Sequence, residues 1–227
     1  MPKSNPDATS SDDYEFADTP LFRAVAAEME SWLGDDASGH DMDHARRVFD
    51  LATRLAEIEG ADREVVGAAA LTHDVHRAMN GTEAVHPEES LPEVRTVLER
   101  AGFPEAKIPA VLHCVEVHDE YDYRGVERPA ESVEAEILRD ADNLDAIGAV
   151  GIARNFAFTG VYGNPLWDPD GDGPSGIGHC YDKLLELEDE MHTDAARELA
   201  ADRHDFLTAF VERFEREWFG EELPRDE

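Results

Sequence analysis

Histidine and aspartate residues recur in short segments of the chain, in a pattern that could bind a metal ion. Six of the ten histidines fall in GHDMDHARRV (39–48), LTHDVHR (71–77) and HCVEVH (113–118), and an acidic segment, DADNLD, occupies 140–145. Imidazole and carboxylate together form the mixed donor set that holds divalent manganese, magnesium, nickel, cobalt or iron. The four segments therefore predict a site for one divalent metal ion.

The adjacent pair His73-Asp74 limits how such a site can be built. Neighbouring side chains on a helix point about 100° apart. Both can reach one ion only near a helix end, or where other helices supply the remaining ligands. His44, in the first histidine segment, is a third candidate ligand. The acidic segment leaves three alternatives open for a fourth ligand: Asp140, Asp142 and Asp145.

Helices are predicted to position these residues. Apolar residues repeat at helical spacing from His44 to Leu55, and the pattern ends near Gly60. Thr19 followed by Pro20 is typical of a helix start, and this first helix is predicted to end at Gly34. Further helical segments are predicted at 63–73, 92–101, 104–118, 133–139, 144–158, 178–191 and 193–219.

The overall organisation is predicted to be one all-α domain. No segment shows the alternation typical of a strand, and the chain contains no repeat of about 20 to 50 residues. We expect a single helical bundle at 18–220. The segments 1–17 and 221–227 are polar and acidic, so we expect flexible tails there.

The charge of the chain restricts its partners. Asp and Glu number 53 against 20 Lys and Arg, which gives a formal net charge of −33. This excludes a simple electrostatic binder of duplex nucleic acid or of an anionic membrane. The sequence has no signal peptide and no apolar stretch of about 18 residues, so we expect a cytoplasmic protein with no membrane partner.

The choice of cations indicates an adaptation to concentrated salt. Lys3, Lys107 and Lys183 are the only lysines, and the other 17 basic residues are arginines. Salt screens repulsion between carboxylates, which at low ionic strength would lower stability. A halophilic surface is therefore predicted, with an ordinary acidic protein as the alternative.

Taken together, the segments resemble the HD-domain metal-dependent phosphohydrolases, including a small bacterial and archaeal group related to nucleotide pyrophosphohydrolases. The matching segments are HDMDHARRV, AALTHDVHR, HCVEVH, LRDADNLDAIGAVGIAR, HCYDKLLELEDEM and RHDFLTAFVERFEREWFG, which together span about 39–220. Thr72 and Asp119 depart from the family's usual residues. The resemblance implies an HD-domain helical bundle with one divalent metal ion bound by His44, His73, Asp74 and Asp142.

The resemblance also implies a reaction. A divalent ion polarises a phosphoryl oxygen and lowers the pKa of its bound water, so we expect this water to attack phosphorus, with Asp74 among the catalytic residues. The expected substrate is a nucleotide or a related small phosphate ester. A non-catalytic nucleotide-sensing HD module is one alternative function, and a dinuclear HD phosphodiesterase or oxygenase is another.

The dinuclear alternative requires two additional histidine ligands. His113 and His118 occupy the appropriate interval of the sequence. Five residues of helix rotate by about 500°, so these two side chains would diverge by about 140°. This spacing disfavours a shared ion. His118 is instead predicted to act as a general acid or a phosphate donor, because the ordinary pKa of histidine permits both protonation states near neutrality.

Because the chain is so acidic, an anionic substrate must be met by local cations. Arg47, one helical turn after His44, is predicted to be a catalytic phosphate clamp, since a guanidinium group offers two parallel donors. Pairing with a carboxylate is the alternative for Arg47. The other predicted substrate-binding residues are Arg77, His179 and Lys183, which lies one turn after His179.

The charge analysis predicts that salt stabilises the protein. The melting temperature should rise as potassium chloride increases from about 0.1 M, where the Debye length is about 10 Å, to about 1 M, where it is about 3 Å. Thermal unfolding followed by circular dichroism measures this. A melting temperature that stays constant or falls would exclude the halophilic interpretation.

Overall fold

The fold is helical wherever the structure describes the chain. The computed structural model describes residues 19–34, 37–80, 85–125, 128–171 and 173–221, and these contain α-helices and short 3₁₀ turns but no strand. The predicted all-α class is confirmed. The tail predicted at 1–17 lies outside the described residues, as does the second tail after Glu221. In chain order the helices are α1 (Pro20–Leu33), α2 (Met42–Glu59), α3 (Arg63–Thr72), α4 (Val75–Asn80), α5 (Leu91–Arg100), α6 (Ile108–Val117), α7 (Val133–Ala146), α8 (Gly148–Val161), α9 (Gly176–Asp182) and α10 (Asp194–Trp218).

Local sequence explains where the first helices begin and end. Thr19 caps α1 by accepting a hydrogen bond from the N–H of Phe22 at 3.2 Å. Asp41 caps α2 in the same way, accepting from the N–H of His44 at 2.8 Å. Gly60 ends α2 in the left-handed region, with φ of 71°. His44 is therefore fixed in the first turn of α2. Among the described helices, none combines the length and apolar character that a membrane crossing needs.

Two helices end more than five residues away from their predicted ends. The helix predicted to end at 139 continues through the acidic segment to Ala146, because Asp140 and Asp145 are buried and hydrogen-bonded rather than solvated. The helix predicted at 178–191 ends at Asp182. Lys183 leaves helical geometry there, with φ of −139°, and a 3₁₀ turn follows.

The centre of the core is formed by α2, α3 and α7. A run of small residues lets α3 approach its neighbours closely. A Cβ at Gly67 would lie 2.7 Å from the ring of Phe22 and 2.9 Å from that of Phe49. These two rings pack edge to face with centroids 4.9 Å apart. Close approach of α2 and α3 brings His44 beside His73, which follows α3 directly.

A tight corner joins α7 to α8. Gly148 adopts φ of 72°, which favours glycine. A Cβ at Gly151 would overlap the carbonyl oxygen of Ala146. The corner therefore depends on both glycines, and it allows Arg154 of α8 to donate a hydrogen bond to Asp145 of α7 at 2.9 Å.

Asp140 connects α7 to the start of α10. Its side chain is fully buried, and its carboxylate accepts hydrogen bonds from the backbone N–H groups of His192 at 2.7 Å and Thr193 at 2.8 Å. The Thr193 hydroxyl also donates to it at 2.8 Å. All of these donors belong to the polypeptide, so Asp140 acts as a structural cap.

Replacing Asp140 should destabilise the fold without emptying a metal site. Asp140→Ala leaves buried N–H groups without acceptors, and each charge-assisted hydrogen bond contributes about 1.5 to 3 kcal/mol. We expect the free energy of unfolding to fall by at least about 2 kcal/mol, as measured by urea titration. Metal content of the folded protein should match that of wild type. Asp142→Ala should show the opposite pattern, with metal loss as the main effect.

Candidate metal centre

Four predicted ligands come together from three places in the fold. His44 lies in the first turn of α2, and Asp142 lies on α7. His73 and Asp74 occupy the turn between α3 and α4. The helix therefore ends at the His-Asp pair, which is the condition under which both side chains can face one ion.

The distances between the ligand atoms fit a single cation. His44 Nε2 lies 3.1 Å from His73 Nε2, 3.3 Å from Asp74 Oδ2 and 3.4 Å from Asp142 Oδ1. His73 Nε2 lies 3.5 Å from Asp74 Oδ2 and 3.8 Å from Asp142 Oδ1. Adjacent ligands of an octahedral ion, each about 2.1 Å from it, lie about 3.0 Å apart. The cluster is therefore close to the size that one ion requires.

The hydrogen bonds behind the cluster determine which atoms face its centre. His44 Nδ1 lies 2.8 Å from Asp145 Oδ2, and His73 Nδ1 lies 2.8 Å from the carbonyl oxygen of Ala70. Both partners can only accept, so each Nδ1 carries a hydrogen, and in the neutral ring that metal binding requires each Nε2 presents a lone pair. Asp74 Oδ2 is buried and has no hydrogen-bond partner. Lone pairs thus converge without a donor among the described residues, and this donor set fits a divalent ion.

The charge balance of the cluster depends on the same contacts. Burial favours neutral His44, but the neighbouring carboxylates of Asp142, Asp145 and Asp74 outweigh this effect and raise its pKa to about 10. Burial opposes ionisation of Asp142, yet His44 and His73 hold its pKa well below the ordinary value. The site therefore stabilises positive charge between its carboxylates.

The three alternatives for the fourth ligand have different surroundings. Asp140 is the structural cap between α7 and α10, and Asp145 contacts His44 through Nδ1, on the side away from the cluster. Only Asp142, among these three, places an oxygen beside the Nε2 atoms. The geometry thus favours Asp142.

Arg47 does not lie where its sequence position predicted. Its Nε donates to Asp145 Oδ1 at 2.8 Å and its Nη2 donates to Asp145 Oδ2 at 3.1 Å. It does not line the cavity beside the ligands. The geometry therefore favours the alternative of pairing with a carboxylate: the guanidinium group holds Asp145, which in turn holds His44. The reason is that α2 directs Arg47 behind the cluster.

A cavity of about 150 Å³ adjoins the ligand cluster. Asp74 and Asp142 form part of its wall, together with three cationic side chains and two histidines: Arg77, Arg154, Lys183, His40 and His179. Three of the four predicted substrate-binding residues are thus brought together, and Arg47 is not. The sequence prediction missed Arg154, which lies in the family-like segment at 138–154.

Asp119 organises two of these cations. Its Oδ2 lies 3.8 Å from Arg77 Nη2, and its Oδ1 lies 3.8 Å from Lys183 Nζ. The hydroxyl of Tyr121 donates to Asp119 at 2.9 Å. Burial opposes ionisation of Asp119, but Lys183, Arg77 and His118 lower its pKa to about 2. Asp119, which departs from the family's usual residue, is thus a counterion for the cations of the cavity.

The remaining histidines have distinct environments. His118 is fully buried, its Nδ1 donates to the carbonyl of Val115 and its Nε2 has no partner. Burial, followed by the charges of His73 and His76, lowers its pKa to about 3. A neutral ring without a hydrogen on Nε2 does not support the predicted general-acid role. His113 does not contact the cluster; its Nε2 accepts a hydrogen bond from the backbone N–H of Glu131 at 3.1 Å.

The all-α bundle thus contains a largely buried cluster of imidazole and carboxylate side chains that could hold a metal ion. The HD domain family matches residues 42–147. The protein YpgQ of Bacillus subtilis (strain 168) is 40% identical over 192 residues, which are 83% of this chain and 89% of the relative. This chain therefore belongs to the HD-domain phosphohydrolase superfamily.

Solved structures agree with this assignment. The crystal structure of B. subtilis YpgQ in complex with ADP has a TM-score of 0.65 and 36% identity, and the match covers 85% of this chain and 97% of that chain. The crystal structure of an HD-superfamily hydrolase from Bacillus thuringiensis has a TM-score of 0.67 and 36% identity, covering 88% and 98%. The similarity thus extends well beyond the ligand segments.

Metal binding should distinguish two histidines of the HD segments. His44→Ala removes a proposed ligand, so manganese affinity should fall by more than about tenfold, the lower bound seen when even a supporting residue of a metal site is removed. His113→Ala is the matched control, because His113 contacts the backbone of Glu131 instead. Metal content after dialysis measures both. Equal metal loss in the two variants would contradict the proposed site.

Proposed function

We propose that this protein is a divalent-metal-dependent phosphohydrolase that acts on a nucleotide or a related small phosphate ester. The observation that carries the proposal is the convergence of four lone-pair atoms beside a cavity containing Arg77, Arg154 and Lys183. Metal ligands next to cations suit a substrate that carries negative charge around an electrophilic phosphorus atom.

The proposed ligands supply the metal-dependent part of the chemistry. His44, His73, Asp74 and Asp142 would hold the ion. When bound, a divalent ion polarises a phosphoryl oxygen and lowers the pKa of a coordinated water. Asp145 and the Ala70 carbonyl keep the two imidazoles oriented for this role.

Arg77 and Lys183 are the proposed phosphate contacts. Arg77 Nε donates to Asp74 Oδ1 at 2.9 Å, whereas its Nη2 is 3.8 Å from Asp119, beyond ordinary hydrogen-bond distance. The outer edge of this guanidinium can therefore donate to a phosphate. Lys183 Nζ is likewise 3.8 Å from Asp119 and 4.5 Å from the Tyr121 ring centre, so its N–H groups can turn toward an anion.

Two further observations favour a nucleotide. The relative YpgQ has been solved in complex with ADP. The cavity of the present protein is also lined by Phe158, which is 37% exposed, and by Asn155 and His40. An exposed aromatic face can stack on a nucleobase, since every base has a π-face.

Turnover assays test the proposed function directly. Nucleoside mono-, di- and triphosphates would be incubated with the protein, with manganese, magnesium, nickel or cobalt, in about 0.1 M and about 1 M potassium chloride. Phosphorus NMR of the products identifies the broken P–O bond. We expect metal-dependent hydrolysis that chelation and Asp74→Ala abolish. Nucleotide binding without consumption under every condition would instead assign a sensing module.

The lysine of the cavity should matter for substrate capture. Lys183→Ala removes a charged donor, so kcat/KM should fall by about tenfold to a hundredfold, which corresponds to about 1.5 to 3 kcal/mol. Metal content should not change, because Lys183 contacts no proposed ligand. Lys107→Ala is the matched control, since Lys107 pairs with Asp62 and Glu64 away from the cavity. Wild-type kinetics in Lys183→Ala would remove this residue from the site.

A further inference from the structure

Three arginines from two helices, α2 and α10, line a second cavity, which lies behind Asp145. This cavity measures about 400 Å³, and Arg47, Arg54 and Arg203 contribute to its wall. No proposed metal ligand lines it, and neither Arg77 nor Lys183 does. We infer that this cavity, here called the arginine cavity, binds a small multiply charged oxyanion of the phosphate class.

The balance of charge in the cavity is opposite to that of the whole chain. The protein has 53 acidic and 20 basic residues, yet three arginines meet here against two carboxylates, Asp50 and Asp145. Asp145 also receives hydrogen bonds from His44 and Arg154, which do not line the arginine cavity. Its negative charge is therefore largely neutralised, and the wall is left with excess positive charge.

The three arginines hold their positions by different contacts. Arg47 is bidentate to Asp145, and its side chain is still 36% exposed. Arg203 donates to the carbonyl of Leu144, and its aliphatic carbons pack against Gly148. Arg54 is exposed and interacts electrostatically with Asp50, one helical turn before it, without a close ion pair among the described residues. Two guanidinium groups are thus anchored, and the third is available for a ligand.

The backbone at the start of α8 adds to the positive charge of the arginine cavity. The cavity wall includes Ile147, Ala149 and Val150, at the N-terminus of the fourteen-residue helix α8. Ile147 offers no side-chain cap, and the first turn contains no acidic residue. The N-terminal N–H groups carry partial positive charge. This partial charge adds to the charge of the three arginines, on which the inference rests.

The geometry of the donors selects the chemical class. Guanidinium groups donate in parallel pairs that match the oxygens of phosphate, and their charge favours anions with more than one negative charge. A cavity of about 400 Å³ has room for such an ion with its water. An occupant would contact Arg47, which holds Asp145 and through it His44.

Calorimetric titration of the metal-loaded protein with sulfate tests the inference. Sulfate is a tetrahedral dianion that resembles phosphate and is not hydrolysed. Arg54→Gln should weaken its binding by about tenfold or more, because one charge-assisted contact is lost. Arg54→Lys should recover only part of the affinity, because an ammonium group keeps the charge and loses the paired donors. Arg95→Gln is the matched control, since Arg95 is an exposed helical arginine on α5 that pairs with Glu99.

The remaining outcomes separate this site from the substrate cavity. Binding lost in Lys183→Ala but kept in Arg54→Gln would place the anion beside the metal ligands and overturn the inference. Equal weakening of sulfate binding in Arg54→Gln and Arg95→Gln would show that only the net charge of the protein matters. This result would also overturn the inference. Arg54-dependent binding in a protein without hydrolase activity would support the arginine cavity while rejecting the proposed function.

Discussion

Neutralising the buried carboxylate of Asp74 and the half-buried carboxylate of Asp142 beside two buried imidazoles is the constraint on which the rest of the structure depends. Asp74 is 2% exposed and His44 is 1% exposed, so water cannot screen their charges. The fold meets part of this demand with Arg77 on Asp74 Oδ1 and leaves Oδ2 without a partner. A divalent cation would supply the positive charge that the polypeptide does not place beside Asp74 Oδ2.

The supports of the cluster show how one acidic segment performs three tasks. Asp140 caps the start of α10, Asp142 faces the Nε2 atoms and Asp145 fixes the His44 ring through Nδ1. Residues 140 and 145 differ by five positions and 142 lies between them, so the rotation of α7 directs each carboxylate toward a different neighbour. Arg47 and Arg154 both bond to Asp145, and they keep it ionised and oriented.

The distribution of cations follows from the same electrostatics. A surface with net charge −33 repels anionic ligands at long range, and salt reduces this repulsion. Short-range contacts must then select the ligand. Arg77, Arg154 and Lys183 line the substrate cavity, and Arg47, Arg54 and Arg203 line the arginine cavity. Asp145 bonds to Arg154 of the first group and to Arg47 of the second, so each group of cations lies close to a residue that orients His44.

The sequence by itself determined the helical class, the ends of α2 and the identity of the His-Asp segments, because caps, apolar spacing and side-chain chemistry are local properties. It also indicated His44, His73 and Asp74 as candidate ligands. Tertiary structure decided that Asp142 rather than Asp140 or Asp145 lies beside their facing atoms, that Arg47 turns to Asp145 and that Asp119 pairs with the cations of the cavity. These outcomes depend on the packing of α2 against α7 and of the 119–123 loop against Lys183. Partners far apart in the chain determine them, and no local pattern encodes which of several like-charged residues will face which neighbour.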